Sequence, residues 1–421
     1  MITVGLDFGT HQTKVCIEHK DGVELSYTFM KFSDIYHRDY YTFPSLIGVG
    51  KDGLLSYGYL PRKYDGRIIR YFKQSAFRPS PSSMSQVNAM YFSTWYLAYI
   101  LFDLEDKYGQ EFTIQMGAPT DSAHVNQAKV IATRLIASAY RLVEEVFAND
   151  KGKFLATPMR ELVELTNLIP YSQEIKDEYG LLVFPEAYAC LKPLVSQGKL
   201  ANGMSLMIDI GGGTTDISFF TIEEDKPQVY DFYSINKGLN YLTGANENNQ
   251  TGTEVNVKDA SEIIQSRKVA YINEVNQVCE TLRTKLQREF KLQTGLSMHR
   301  LLDALKNRPL VYCGGGSTFK ALRVGYGGYR DSRQISYKEW NIKSIKDIDE
   351  IIDNELCPIL STAYGLAIST ENDDIVMKPF RDIFEGIRGY KEEHQRKTFH
   401  DARFGSAYGG FSYSDDWDAW K

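Results

Sequence analysis

The sequence predicts an α/β protein of two lobes, each organised on a β-hairpin that ends in aspartate and turns through glycine. Three stretches carry that prediction. In Val4-Gly5-Leu6-Asp7-Phe8-Gly9-Thr10-His11-Gln12-Thr13-Lys14-Val15-Cys16-Ile17 an apolar strand ends in Asp, passes through Gly and Thr, and returns as an apolar strand. About 200 residues later the pattern recurs in Ile208-Asp209-Ile210-Gly211-Gly212-Gly213-Thr214-Thr215-Asp216-Ile217-Ser218, so a duplicated domain pair is expected. A third turn, Leu310-Val311-Tyr312-Cys313-Gly314-Gly315-Gly316-Ser317-Thr318, again runs an apolar strand into glycines.

The chemistry of the second stretch follows from its residue types. Glycines let the backbone take positive φ and bring bare N–H groups close to a ligand. Thr214 and Thr215 add hydroxyls, and Asp209 places a carboxylate where a hydrated magnesium ion can sit. A phosphate–magnesium ligand needs this set of groups. The plain alternative is an ordinary hairpin with a glycine-rich turn.

At 421 residues the chain is long enough for two or more domains, each with its own core. Its 43% hydrophobic and 24% charged residues are ordinary for a soluble globular protein. A net charge of −6 gives no reason to expect nucleic acid or an acidic membrane surface as partner. Cys16, Cys190, Cys279, Cys313 and Cys357 are widely spaced without a CxxC pair, and read as reduced core residues of a cytoplasmic protein. No apolar stretch approaches the roughly 20 residues that span a bilayer, and no signal peptide is expected.

The three glycine turns resemble those of the actin/Hsp70/sugar-kinase ATPase superfamily. The first two are similar to its phosphate motifs and the third to its adenosine motif. The resemblance covers residues 1 to about 370 and implies a two-lobed actin-like ATPase fold built from duplicated ribonuclease-H-like domains, each with a smaller inserted subdomain. It places lobe I at 1–197 with an insert at about 37–112, and lobe II at 198–362 with an insert at about 240–306. A helix over 363–385 would return to lobe I, leaving a tail at 386–421.

The remaining elements are read in chain order. Residues 1 to about 36 give the first hairpin and a third strand, with Asp21-Gly22 as the turn. A small β unit follows from Thr42 to Tyr59. Arg70 to Phe77 resembles the Hsp70 segment whose lysine reaches the γ-phosphate, and Lys73 matches that lysine. The alternative is that Lys73 is one of four cations, with Arg67, Arg70 and Arg78, on a solvated face. Apolar spacing predicts a helix over 85–108, and Phe112 to Ala118 reads as a strand. In Hsp70 proteins the similar strand leads into a long helix, which the resemblance places at Val125 to Phe147, with Asp121/Ser122 as its cap signal. Residues 148–160 read as loop, and 161–179 are undetermined.

Leu181 to Phe184 reads as a strand, and Pro185-Glu186 then opens a small-residue helix that resembles the first connecting motif of Hsp70 proteins. That resemblance gives Glu186 the role of orienting the attacking water; the alternative is a first-turn helix residue favoured by the macrodipole. After a crossover at 196–203, the second hairpin and a strand over 228–235, Asn246 to Asn256 reads as a surface loop. Residues 259–291 read as helical. Within them Glu280 and Arg283 are similar to the Hsp70 residues that hold ribose and adenine, or else form an (i, i+3) surface pair. Phe319 to Leu322 departs from the Arg and Pro that usually follow the adenosine turn. Leu360 to Ala367 resembles the second connecting motif, with Gly365 allowing close crossing against Ala187 and Ala189.

The resemblance therefore implies ATP/ADP and Mg²⁺ as ligands. Asp7, Asp209 and Asp216 would position the metal, mostly through its waters. Gly9, Thr10, His11, Gln12, Thr13, Gly211, Gly212, Gly213 and Thr214 would clamp the phosphates. Glu280, Arg283, Gly314, Gly315, Gly316 and Ser317 would hold the nucleoside, with Glu186, Lys73 and Asp209 catalytic. The expected function is an Hsp70-like ATP-hydrolysing switch. The runner-up is an actin-like filament-forming ATPase, and the third is a small-molecule kinase with Asp121 as base. Phe404, Tyr408, Phe411, Tyr413, Trp417 and Trp420, set among Gly, Ser and Asp, suggest a tail that docks on a protein partner or a neighbouring subunit.

Overall fold

The computed structural model describes residues 2–61, 63–78, 84–119, 125–170, 175–196, 200, 203–223, 226–244, 263–295, 310–323, 334–336, 356–370, 378 and 380–384. Asp121, Ser122, the 246–256 segment and the aromatic tail lie outside these residues.

In the first lobe β1 (Ile2–Phe8) turns back into β2 (Gln12–Asp21), with Asp7 opposite Lys14, and β3 (Glu24–Phe29) continues the meander. A short hairpin of β4 (Phe32–Ser33) and β5 (Asp39–Tyr40) follows, then β6 (Phe43–Pro44) against β2. β7 (Ile47–Gly50), β8 (Leu55–Tyr57) and β9 (Gly66–Ile69) form a separate three-stranded sheet. α1 (Phe72–Phe77) leads to α2 (Gln86–Tyr108), whose Ser85 cap accepts from the Asn88 N–H. β10 (Thr113–Ala118) then joins β1 in parallel.

α3 (Val125–Arg141) runs on into a π-helical turn, Leu142–Val146. α4 (Lys151–Ala156), α5 (Met159–Asn167) and α6 (Ile175–Glu178) lead to β11 (Leu181–Pro185), which pairs with β10 in parallel. α4 and α5 stand where a loop and an undetermined stretch were expected. Each is anchored by one fully buried apolar residue, Phe154 or Leu162, which is too little for a helical period to show in the sequence.

After α7 (Glu186–Ser196) the second lobe repeats the plan. β12 (Gly203–Ile210), β13 (Thr215–Glu223) and β14 (Lys226–Ile235) form the meander, with Asp209 opposite Asp216. α8 (Leu239–Thr243) and α9 (Gln265–Thr294) precede β15 (Leu310–Cys313), which joins β12 in parallel, and β16 (Gln334–Ser336), which joins β15 in parallel. α10 (Cys357–Ala367) and a 3-10 turn, Phe380–Phe384, complete the described chain. The strand orders β11-β10-β1-β2-β3 and β16-β15-β12-β13-β14 have one topology. The chain thus has the two-lobed actin-like fold of duplicated ribonuclease-H-like domains.

The helix α9, expected inside an insert at 240–306, packs directly on the second sheet through Tyr271, Val275, Cys279, Leu282, Leu286 and Phe290. The α2 residues assigned to the 37–112 insert likewise belong to the first lobe's core. Burying such side chains stabilises by about 1.5–3 kcal/mol each, which outweighs any gain from a separate subdomain. The 363–385 segment is not one helix returning to lobe I. α10 ends at Ala367, and Phe380 and Phe384 pack on Phe219 and Phe290 of the second lobe, with ring centroids 5.1 and 5.3 Å apart.

Between the sheets lies a third apolar cluster. α7 and α10 contribute Cys190, Leu191, Leu194, Leu360 and Ala363; Cys16 and Phe29 come from one sheet, Met207 and Val311 from the other. The helices cross as closely as backbones permit: a methyl group on Gly365 would stand 1.8 Å from the Ala189 carbonyl oxygen. Pro193, inside α7, has no N–H to donate to that same carbonyl one turn earlier. On its other side α10 presses on β1, where a methyl group on Gly5 would stand 2.2 Å from the Ala367 nitrogen. All five cysteines are buried and none forms a disulfide. Among the described residues no helix is long and apolar enough to cross a membrane.

Candidate functional site

The first hairpin delivers Asp7 at the end of β1, where Lys14 Nζ donates to its Oδ2 over 2.8 Å. Burial works against the Lys14 charge. Asp7 outweighs it, assisted by Asp209 and Glu186, so the ammonium is held above its ordinary pKa. The turn is fixed from outside: Ser45 donates its hydroxyl to the Gly9 carbonyl and its N–H to the His11 carbonyl, at 2.7 and 2.8 Å. Thr13 is buried and its hydroxyl has no partner.

The second hairpin delivers Asp209 against Asp216. Burial, then the charges of Asp216, Glu186 and Asp7, push the Asp209 carboxyl up to about 7. Burial likewise pushes Asp216 up to about 6, with the Ser234 hydroxyl and the Arg78 and Lys73 charges acting the other way, and among the described residues its Oδ1 has no well-formed hydrogen bond. The turn is held by α8. The Leu239 and Asn240 N–H groups donate to the Gly211 and Gly212 carbonyls at 3.0 and 2.9 Å. Thr215 Oγ1 donates to the Lys237 carbonyl at 2.8 Å and lies 2.9 Å from the Tyr271 hydroxyl. The third turn abuts the same place: a methyl group on Gly314 would lie 2.2 Å from Asp209 Oδ1. Gly315 to Thr318 form a 3-10 turn in which Ser317 is buried and donates to the Gly314 carbonyl.

These turns face each other. The His11 ring lies against Gly212 and Gly213, where added methyl groups would come within 3.0 and 2.9 Å of it. Lys73 stands close by, since its charge acts on Asp216. It is buried, not on a solvated face, and its Nζ donates to Glu186 Oε1 over 2.5 Å. Glu186 is the first residue of α7, so the helix dipole favours its charge there. Gly117 in β10 leaves room for it, since a methyl group there would lie 3.0 Å from Glu186 Cγ.

The structure thus brings together Asp7, Gly9, Thr10, His11, Thr13, Lys73, Glu186, Asp209, Gly211 to Gly213, Asp216 and Gly314. Gln12 opens β2 opposite Pro44, and Thr214 closes the second turn by accepting at its carbonyl from Gly211 N–H at 2.9 Å. Glu280 and Arg283 lie further along α9, about 13 and 18 Å along the axis from Tyr271, the helix residue that touches the hairpin. They pair with each other, and the buried Arg283 Nε has no hydrogen-bond partner among the described residues.

Two participants were missed by sequence reasoning. Lys14 was quoted without a role, although a lysine interrupting an apolar strand at the register position opposite Asp7 was a signal. Asn240 gave none, because its contact with His11 depends on how the lobes meet.

No family model matches the chain, and no curated protein matches it. Among solved structures it is similar to an archaeal actin homolog in complex with ADP, with a TM-score of 0.43 and 14% sequence identity. The match covers 87% of this chain and 98% of that one.

Among the described residues no three His, Cys, Asp or Glu side chains are grouped as a closed metal site. The donor set fits a hydrated Mg²⁺ instead, a hard ion that keeps most of its waters. Two enclosed carboxylates repel one another, and among the described residues one oxygen of Asp216 has no well-formed hydrogen bond.

Proposed function

We propose that the chain is an actin-like ATPase that binds MgATP between its two lobes and hydrolyses it to drive lobe movement. One observation carries the proposal: two acidic glycine-turned hairpins, one from each lobe, face a single gap in which Asp209 feels the charges of Asp7, Lys14 and Glu186. Bare N–H groups of the turns and the Lys14 and Lys73 ammonium groups suit a polyphosphate. Asp209 and Asp216, with Asp7, would hold Mg²⁺, which supplies charge neutralisation at the phosphates when bound. Glu186 would orient water and accept its proton, supported by the Lys73 ammonium that donates to its Oε1. Gly314 to Ser317 lie beside Asp209 and suit the nucleoside end.

Asp209→Asn keeps the shape of the site and removes its charge. Phosphate release should fall about 100-fold or more, with a much smaller loss in nucleotide affinity. Undiminished hydrolysis would refute the assignment. The cleft serves two outputs, an Hsp70-like switch acting as a monomer and a filament former. Sedimentation with MgATP separates them, since only the filament former pellets.

A further inference from the structure

Where the second turn carries Gly212 and Gly213, the equivalent positions of the first carry Thr10 and His11. The side chains of one turn fill the hollow left by the bare backbone of the other. The imidazole packs on Gly212 and Gly213, and the Thr10 methyl carbon lies 3.9 Å from where a Gly213 Cβ would stand. Asn240 Nδ2, in α8 of the second lobe, hydrogen-bonds to His11 Nε2, while the Asn240 N–H holds the Gly212 carbonyl. On the other side the ring meets Tyr71 edge-on, with centroids 5.4 Å apart. Tyr71 takes a left-handed φ of 58° immediately before α1, the helix that carries Lys73.

From these contacts we propose that His11 is a built-in placeholder: it latches the lobes through Asn240 and occupies the space between the phosphate turns until a nucleotide's phosphates displace it. The inference rests on the nucleotide reading above and adds its regulation. Burial first, then the nearby Arg70 and Lys14 cations, hold the imidazole neutral, with its pKa lowered to about 4. A neutral ring offers a phosphate no charge, so its contribution is to fill space. Displacement also removes the ring contact with Tyr71, which stands immediately before the Lys73 helix.

The test is the affinity of the full chain for MgATP and MgADP, by calorimetry, in wild type, His11→Gly and Asn240→Ala. A placeholder competes with ligand, so His11→Gly should bind about tenfold tighter, with Asn240→Ala shifted less in the same direction. A phosphate-binding His11 gives the opposite sign. Weaker or unchanged binding in His11→Gly would overturn the proposal. A double-mutant cycle of His11→Ala and Asn240→Ala on unfolding without nucleotide reads the latch separately, and zero coupling also overturns it. If no variant and no wild-type protein binds nucleotide while the cycle shows coupling, the nucleotide reading has failed. The displacement falls with it, and only a lobe-to-lobe contact remains.

Discussion

The two hairpins are built on one pattern and finished in opposite ways. At the position before the turn both carry aspartate, but across the strand pair Asp7 meets Lys14 and Asp209 meets Asp216. One hairpin is neutralised within itself; the other holds two carboxylates that push each other's charge away. The threonines one position earlier differ too, since Thr215 bonds Lys237 and Tyr271 while the Thr13 hydroxyl is unpartnered. Two residues before the aspartates, β1 has Gly5 under the backbone of α10, and β12 has a buried Met207. The duplicated plan thus neutralises its carboxylate in the first hairpin and sets two carboxylates side by side in the second.

Substitutions at equivalent positions test that division. The largest effect is expected at Gly5→Ala, where a methyl group meets backbone that cannot rotate away; a loss of more than about 4 kcal/mol is expected in thermal unfolding. Met207→Ala leaves a cavity and should cost about 2–5 kcal/mol. A smaller loss at Gly5 than at Met207 would break the comparison. Next is Lys14→Met, which strands the Asp7 carboxylate and should cost about 3–5 kcal/mol in denaturant titration. Asp216→Asn removes a repulsion instead, and should leave the nucleotide-free protein as stable or more so.

The acidic pair also sets a pH dependence. Asp209 and Asp216 rise from an ordinary 3.8 to about 7 and about 6, so the folded state keeps protons that the unfolded chain has released. Stability contributed in this way is complete below about pH 4 and is lost as pH rises to about 7, at up to roughly 1.4 kcal/mol per unit and proton. Asp216→Asn should flatten that slope in metal-free protein; an unchanged slope would place its origin elsewhere. The smallest contrast is between the threonines. Thr215→Val should cost about 1–3 kcal/mol by orphaning its partners, whereas Thr13→Val should stay within about 0.5 kcal/mol.

The parts of the site that were legible in the sequence are those where local chemistry decides. Gly211 to Gly213, Gly314 and Asp209 announce themselves because a turn without side chains beside a carboxylate has few other uses. Glu186 was legible as a helix start next to small residues. Lys73 was left between two positions, because its burial depends on Glu186, which is 113 residues away. The Glu280–Arg283 pair on α9 was legible as an (i, i+3) pair, because helical spacing alone decides it. The two-lobed fold followed from the repeated hairpins, while α4 and α5 escaped because their burial is slight.

The crossing of α7 and α10 combines an absent donor at Pro193 with an absent side chain at Gly365, both facing the Ala189 carbonyl. A joint made from two omissions has little to snap when it is twisted, so it resembles a greased bearing more than a spring. Its wear is one-sided. Restoring the donor at 193 would not rescue a bulkier residue at 365, because the carbonyl oxygen would still stand in the way.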